Sequence, residues 1–183
     1  ATTKDLAVLK AKLINGIDKN PIDSSDYFSG EADGDFVTRA LLYAINHRLS
    51  ARTWPLSDYH LEHIAPQTTT DWWNNAIFGD PAGDSDAYDE LVSRVGNLTL
   101  LDPEVNWKIK NWPWFDAARA DKSKKTEYGK ASTKITEELR GEPDWDADDV
   151  ELRSSWLIEM FQLIWSTDKG NLAKVKRFTE WRQ

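Results

Sequence analysis

The run from Leu56 to Ile64 has the alternation and length of a strand, and Pro66 stops it. Proline has no amide hydrogen to give to a ladder, so the pairing must close there. One other stretch is extended in character, Asn97 to Leu101 within Gly96-Asn97-Leu98-Thr99-Leu100-Leu101. Asp102-Pro103 follows it directly and opens a helix, with proline at the first helical position and Asn106 one turn in. Two short strands among 183 residues allow only a small sheet. The predicted class is α+β, mostly α-helical, with a strand–strand–helix (ββα) unit over about residues 56–112.

Helical spacing accounts for much of the rest. Thr3 to Asn15 carries Leu6, Leu9 and Leu13, and Asn15-Gly16 supplies a stop. Asn20 to Asp35 is rich in Pro, Ser, Asp and Gly and reads as a loop, a possible hinge. Phe36 to Leu49 is a second helix with Val37, Leu41, Ala44, Ile45 and Leu49 along one side; His47 lies off that stripe and is expected on the surface. Further helices are expected near Asp71–Asn74 and Tyr88–Val92, then over Asp116–Tyr128 and Ser132–Leu139. A strong last helix, capped by Asp148 or Asp149, turns Leu152, Trp156, Phe161, Ile164 and Trp165 largely inward. Lys169 to Gln183 is a terminal helix or a tail, and no internal repeat is present. The length fits one domain, 1–183, with an N-terminal helix and loop (1–35), a core (36–165) and a C-terminal extension (166–183).

Composition removes several alternatives. There is no cysteine, so neither a zinc knuckle nor a disulfide framework is available. No long uncharged apolar run and no signal peptide is seen, so a soluble domain is expected. The chain begins at Ala1 and its single methionine is Met160, so a piece of a longer protein, or one lacking its start residue, is expected. A net charge of −8 argues against a surface coated in nucleic acid. The charge is uneven, however, because Glu104 to Arg140 holds nine basic residues against six acidic ones. Ten tryptophans are many for this length, and most are expected in the core. Trp112 and Trp114, beside Lys108 and Lys110, fit either stacking on bases or the core, with the core favoured.

The chemistry resides in His60-Leu61-Glu62-His63-Ile64-Ala65-Pro66-Gln67 and in Asn106, nine residues after Asn97. Hydrolysing a phosphodiester needs a base for the water, a cation against the phosphate charge, and stabilisation of the leaving oxygen. His63 suits the base, since a free imidazole titrates near neutrality. Glu62 and Asn106 offer hard oxygens, which favour Mg²⁺ or Mn²⁺ over zinc. Asn97 is suited to orienting His63 or bracing the loop. Strand alternation sends Glu62 and His63 to opposite faces, and a bulge or twist would let both reach one site. His60 shares the Glu62 face, as an added ligand, a substrate-orienting group or an ordinary strand histidine. The order of these pieces, the Pro66 stop and the nine-residue interval together read as an HNH-type nuclease site with Asn in the last position.

These residues resemble a known family. His63-Ile64-Ala65-Pro66-Gln67, then Gly96 to Leu101, then Asn106 with Lys108, Lys110 and Asn111 are similar to the C-terminal nuclease domain of GmrSD-type modification-dependent restriction enzymes. The family's later Phe, Lys, Tyr, Arg and Trp positions are matched by Phe115, Lys122 or Lys125, Tyr128, Arg153 and Trp165. The Glu-His-Ile-x-Pro-Gln segment also resembles the HNH domain of CRISPR effector nucleases, where Asp replaces Glu. The resemblance implies a ββα-metal (His-Me finger, HNH) centre in a bacterial, cytoplasmic defence protein that nicks or cuts DNA. It implies an N-terminal NTPase-like sensing domain as partner, a layout shared with the phosphorothioate-sensing Ssp effectors. Carried over by position, His63 is the general base, Asn97 the structural member of the catalytic set, and Glu62 and Asn106 are metal ligands, with His60 a further candidate. Lys108, Lys110, Lys122 and Arg153 are the expected DNA contacts; whether Lys108 or Lys110 meets the phosphate stays open. A non-cleaving DNA-binding module and an RNA-directed nuclease are the competing readings.

Overall fold

A computed structural model describes residues 31–50, 55–166 and 169–183, with backbone alone for 31–37 and 169. The helix expected at Thr3–Asn15 and most of the loop from Asn20 lie outside the described residues. The first described helix, α1 (Glu31–Leu49), starts ahead of Phe36 and takes in the last five positions of that loop. Leu41, Leu42 and Ile45 are its buried side, and His47 is exposed as expected.

The fold is mostly helical with one two-stranded sheet, which places it in the α+β class. Strand β1 is His60–His63, shorter than expected, because Leu56–Asp58 coils into a 3-10 turn after Pro55. Its partner β2, Leu98–Leu101, is equally short, closed by a 3-10 turn at Val95–Asn97 before it and by Asp102-Pro103 after it. The strands run antiparallel, His60 opposite Leu101 and His63 opposite Leu98. Between them lie α2 (Asp71–Phe78) and α3 (Ser85–Val92). The Thr70 hydroxyl accepts from the Trp73 amide to start α2, and Gly79, at φ 69°, ends it. The Asp84 carboxylate accepts from the Asp86 and Ala87 amides at the start of α3.

Helix α4 (Pro103–Ile109) follows β2 directly. The single helix expected over Asp116–Tyr128 is two pieces. Residues Ala117–Lys122 form 3-10 turns broken at Arg119 (φ −141°, ψ 49°), and extended Ser123 then caps a separate helix, α5 (Lys124–Tyr128). Helix α6 (Lys134–Glu137) passes into a 3-10 turn at Glu138–Gly141. The long helix α7 (Ala147–Ile164) is capped by Asp146, with Asp149 closing the reciprocal bond, so the cap lies ahead of both expected residues. A 3-10 segment at Lys169–Lys174 and the short α8 (Phe178–Trp181) complete the chain.

One hydrophobic cluster runs from α1 through α8. Trp73, Trp114, Trp145 and Trp156 are fully buried within it, and Trp112 is half-buried at its edge. Two elements far apart in sequence meet with unusual closeness. At Gly96 a side-chain methyl would overlap the Val150 carbonyl and Ser154 of α7, so only glycine fits. The Gly96 amide donates to Ser154 Oγ (3.0 Å), and the Arg153 Nη1 donates to the carbonyls of Gly96 and Leu98 (both 2.7 Å). Arg153 is completely buried in this role, so its expected place on DNA is corrected: the guanidinium holds the turn into β2. Among the described residues no helix is long and apolar enough to cross a membrane.

Candidate functional site

Beside the sheet lies a cavity of about 560 Å³, lined among others by Glu62, His63, Asn106, Trp107, Lys110 and Lys124. Glu62 comes from β1 and Asn106 from the second turn of α4. The amide of Asn106 donates from Nδ2 to Glu62 Oε2 at 2.9 Å, so the two proposed ligand positions are in contact. His63 reaches the same cavity without a bulge, since the register is unbroken from His60 to His63. It is the last residue of its strand, where the chain is already leaving the ladder. Among the described residues its imidazole has no hydrogen-bond partner. Burial, and secondarily the positive charge of Lys124, push its pKa down to about 4, so the ring is neutral over the physiological range.

Asn97 is wholly buried. Its Oδ1 accepts from the Ala65 amide (2.8 Å), and its Nδ2 donates to the carbonyls of Ala65 (2.8 Å) and Val92 (3.0 Å). Its own carbonyl accepts from the Ile64 amide at 2.8 Å. Both side-chain groups are thereby engaged, tying the backbone just after His63 to the end of α3, and Asn97 does not line the cavity. That is the loop-bracing arrangement, in which Asn97 acts on His63 through the chain.

Lys124, which the sequence reading passed over, stands at the centre. Its Nζ donates to Glu62 Oε1 (2.6 Å) and to the His63 carbonyl (2.7 Å), and the residue has no exposed surface. Tyr128, one helical turn on, donates its hydroxyl to the same Glu62 oxygen at 3.2 Å. Burial raises the Glu62 carboxyl above its usual range, with Lys124 and Tyr128 opposing it. Burial likewise lowers Lys124 and lifts Tyr128 well above the usual phenol range, so the tyrosine is a permanent donor. The signal for Lys124 was present in the chain: Lys124 and Tyr128 are four apart, the spacing that puts two side chains on one helix face.

The other expected residues separate. His60 is not on the cavity wall; its ring stands edge-on to Trp107, with centroids 6.0 Å apart. Among the described residues no group of three or more His, Asp or Glu could hold a metal. A hard divalent cation that keeps most of its waters and takes one carboxylate needs no such cluster, and the Glu62 carboxylate with the Asn106 amide fits that donor set. Lys108 is drawn away to Glu127 (2.9 Å), whereas Lys110 is on the cavity wall. Lys122 is exposed on the 3-10 segment and does not line the cavity.

The basic stretch is largely neutralised from within. Lys108 and Lys130 both pair with Glu127, Lys134 and Arg140 with Glu137, Arg119 with Asp116, and Lys124 with Glu62. Pairing by Lys130 and Lys108 outweighs burial and holds the Glu127 carboxyl below its usual range. Lys110, Lys122 and Lys125 are left without an ion pair among the described residues, and of these Lys110 lines the cavity.

Compared with known proteins, the chain matches one family model over residues 22–160, that of the GmrSD restriction endonucleases, C-terminal domain. No curated protein and no solved structure matches it significantly.

Proposed function

The chain belongs to the family of C-terminal domains of GmrSD restriction endonucleases, and from that premise we propose that it is an HNH-type, metal-dependent DNA endonuclease domain. One observation carries the proposal: Glu62, His63 and Asn106 meet on the wall of a single cavity although they come from different elements. His63, neutral and without a side-chain hydrogen bond among the described residues, takes the proton of the attacking water. Glu62 and Asn106 would hold Mg²⁺ or Mn²⁺, which supplies a counter-charge to the phosphate and the leaving oxygen. Asn97 keeps the backbone at Ala65 fixed, and with it the imidazole. Lys124 holds the Glu62 carboxylate and the His63 carbonyl in one relation, which sets the ligand oxygen against the base. On this reading β1, β2 and α4 are a ββα-metal unit. The domain serves as the effector of a bacterial, modification-linked restriction system in the cytoplasm, working with an N-terminal NTPase-like sensor.

The test is relaxation of supercoiled plasmid in Mg²⁺ and in Mn²⁺, with and without EDTA. Wild type relaxes the plasmid, EDTA stops it, and His63→Ala lowers the rate by about 10²–10⁴-fold with DNA binding kept. A plasmid left supercoiled in both metals sinks the proposal. A second reading, a DNA-binding module that does not cleave, draws on Glu62 being already engaged by Asn106, Lys124 and Tyr128. The same assay separates the two.

A further inference from the structure

Trp107 is 68% exposed, more than any other large apolar side chain among the described residues. A lone apolar residue on a surface needs no explanation. This one sits next to Asn106 on α4 and lines the cavity that holds His63 and Glu62. Its ring makes a T-shaped contact with the His60 imidazole, at an interplanar angle of 64°. Three residues on, Lys110 adopts φ 37°, ψ −120°, and among the described residues it is the one non-glycine with positive φ. Such a conformation costs a side-chain-bearing residue energy and is concentrated at functional sites. Lys110 lines the same cavity, while Lys108, two residues before it, is turned to Glu127 and the Trp112 ring.

We propose that Trp107 and Lys110 form a nucleotide subsite at the mouth of the cavity, taking an unpaired nucleobase on the indole face and its phosphate on the ammonium. The proposal rests on the nucleic-acid reading of this cavity and deepens it. A flat, wet indole offers an aromatic face, and any base can stack on one, whatever its sequence. Within a duplex both faces of each base are already stacked on neighbours. The face of Trp107 is therefore complementary to a nucleotide that has left the stack, at a single-stranded, frayed or flipped position. The cavity volume is that of a small-ligand pocket, with room for one nucleotide. Lys110 supplies a charge that does not depend on the base. The substrate class is single-stranded or locally unpaired nucleic acid.

The experiment measures binding without cleavage, using the whole chain carrying His63→Ala in EDTA. The probes are a short single strand with one 2-aminopurine and the same strand in a duplex. The single strand binds and its 2-aminopurine emission changes on stacking. Trp107→Ala weakens that binding by about tenfold and removes the emission change, and Trp107→Phe restores most of both. Duplex affinity moves by less than about twofold with Trp107→Ala, whereas Lys110→Ala weakens both probes. Single-strand binding that is undetectable, or unaltered by Trp107→Ala, overturns the subsite, as does an equal loss on both probes. Plasmid relaxation by wild type is scored separately. If the plasmid is cut and Trp107 proves neutral, only the subsite falls; if it is not cut while Trp107-dependent binding persists, the subsite stands and cleavage falls.

Discussion

Lys124 places a fully buried ammonium between the Glu62 carboxylate and the His63 carbonyl. Removing one partner of a buried pair is far costlier than never having had it, because the other charge is left without compensation. Lys124→Met should therefore lower stability by about 3–5 kcal/mol in urea unfolding, and Glu62→Gln in the same chain should recover part of the loss. A loss under about 1 kcal/mol would show that the pair is solvated and does not set the site. His63 carries a second prediction at this scale. Its pKa lies at about 4, below the ordinary imidazole value of about 6.5, so the base form persists through the interval between them. The acid limb of log kcat/KM against pH should then fall near 4. A limb near 6.5 would mean that the imidazole is open to water in the working enzyme.

At the scale of elements, the turn at Val95–Asn97 fits tightly against α7. A Gly96→Ala methyl meets backbone at Val150, which moves only if the helix moves. The expected cost is about 3 kcal/mol in thermal or urea unfolding, with cleavage falling alongside. A Gly96→Ala protein as stable as wild type would require a different seating of α7. How far the chain discloses such things depends on how local their cause is. The two strands, the Pro103 opening and Asn106 one turn in were legible because proline, glycine and short apolar runs act within a few residues. The trimmed start of β1 was not, since a strand's length is set by what its partner can pair, and β2 offers four residues. The break at Ser123 was missed for a related reason. A lysine-rich run scores as helix throughout, while hydroxyl capping by Ser123 and the pull of Glu62 on Lys124 decide otherwise. Arg153 was misread because an arginine on a helix gives no local sign of whether carbonyls or phosphates await it. The Asp146 cap beat the expected Asp148 or Asp149 by two positions or more, an ordinary uncertainty of helix ends.

Across the whole molecule, the acidic total and the internal pairing of the basic stretch lead to the same expectation. Among the described residues of that stretch three cations, Lys110, Lys122 and Lys125, are left without an ion pair, and Lys110 is the one of them at the cavity. The slope of log Kd's reciprocal against log salt should be shallow, about −1 to −3, corresponding to one to three phosphate contacts. A slope steeper than about −6 would demand a basic surface that the described residues do not present. The seating of Arg153 on Gly96 and Leu98 bears on timing as well. During synthesis β1, β2 and α4 leave the ribosome well before α7, and until Arg153 emerges the carbonyls leading into β2 have no guanidinium to hold them. The cavity that holds Glu62 and His63 is thus braced by a segment made long after β2, and a chain halted before α7 carries those residues without the clamp on the turn into β2.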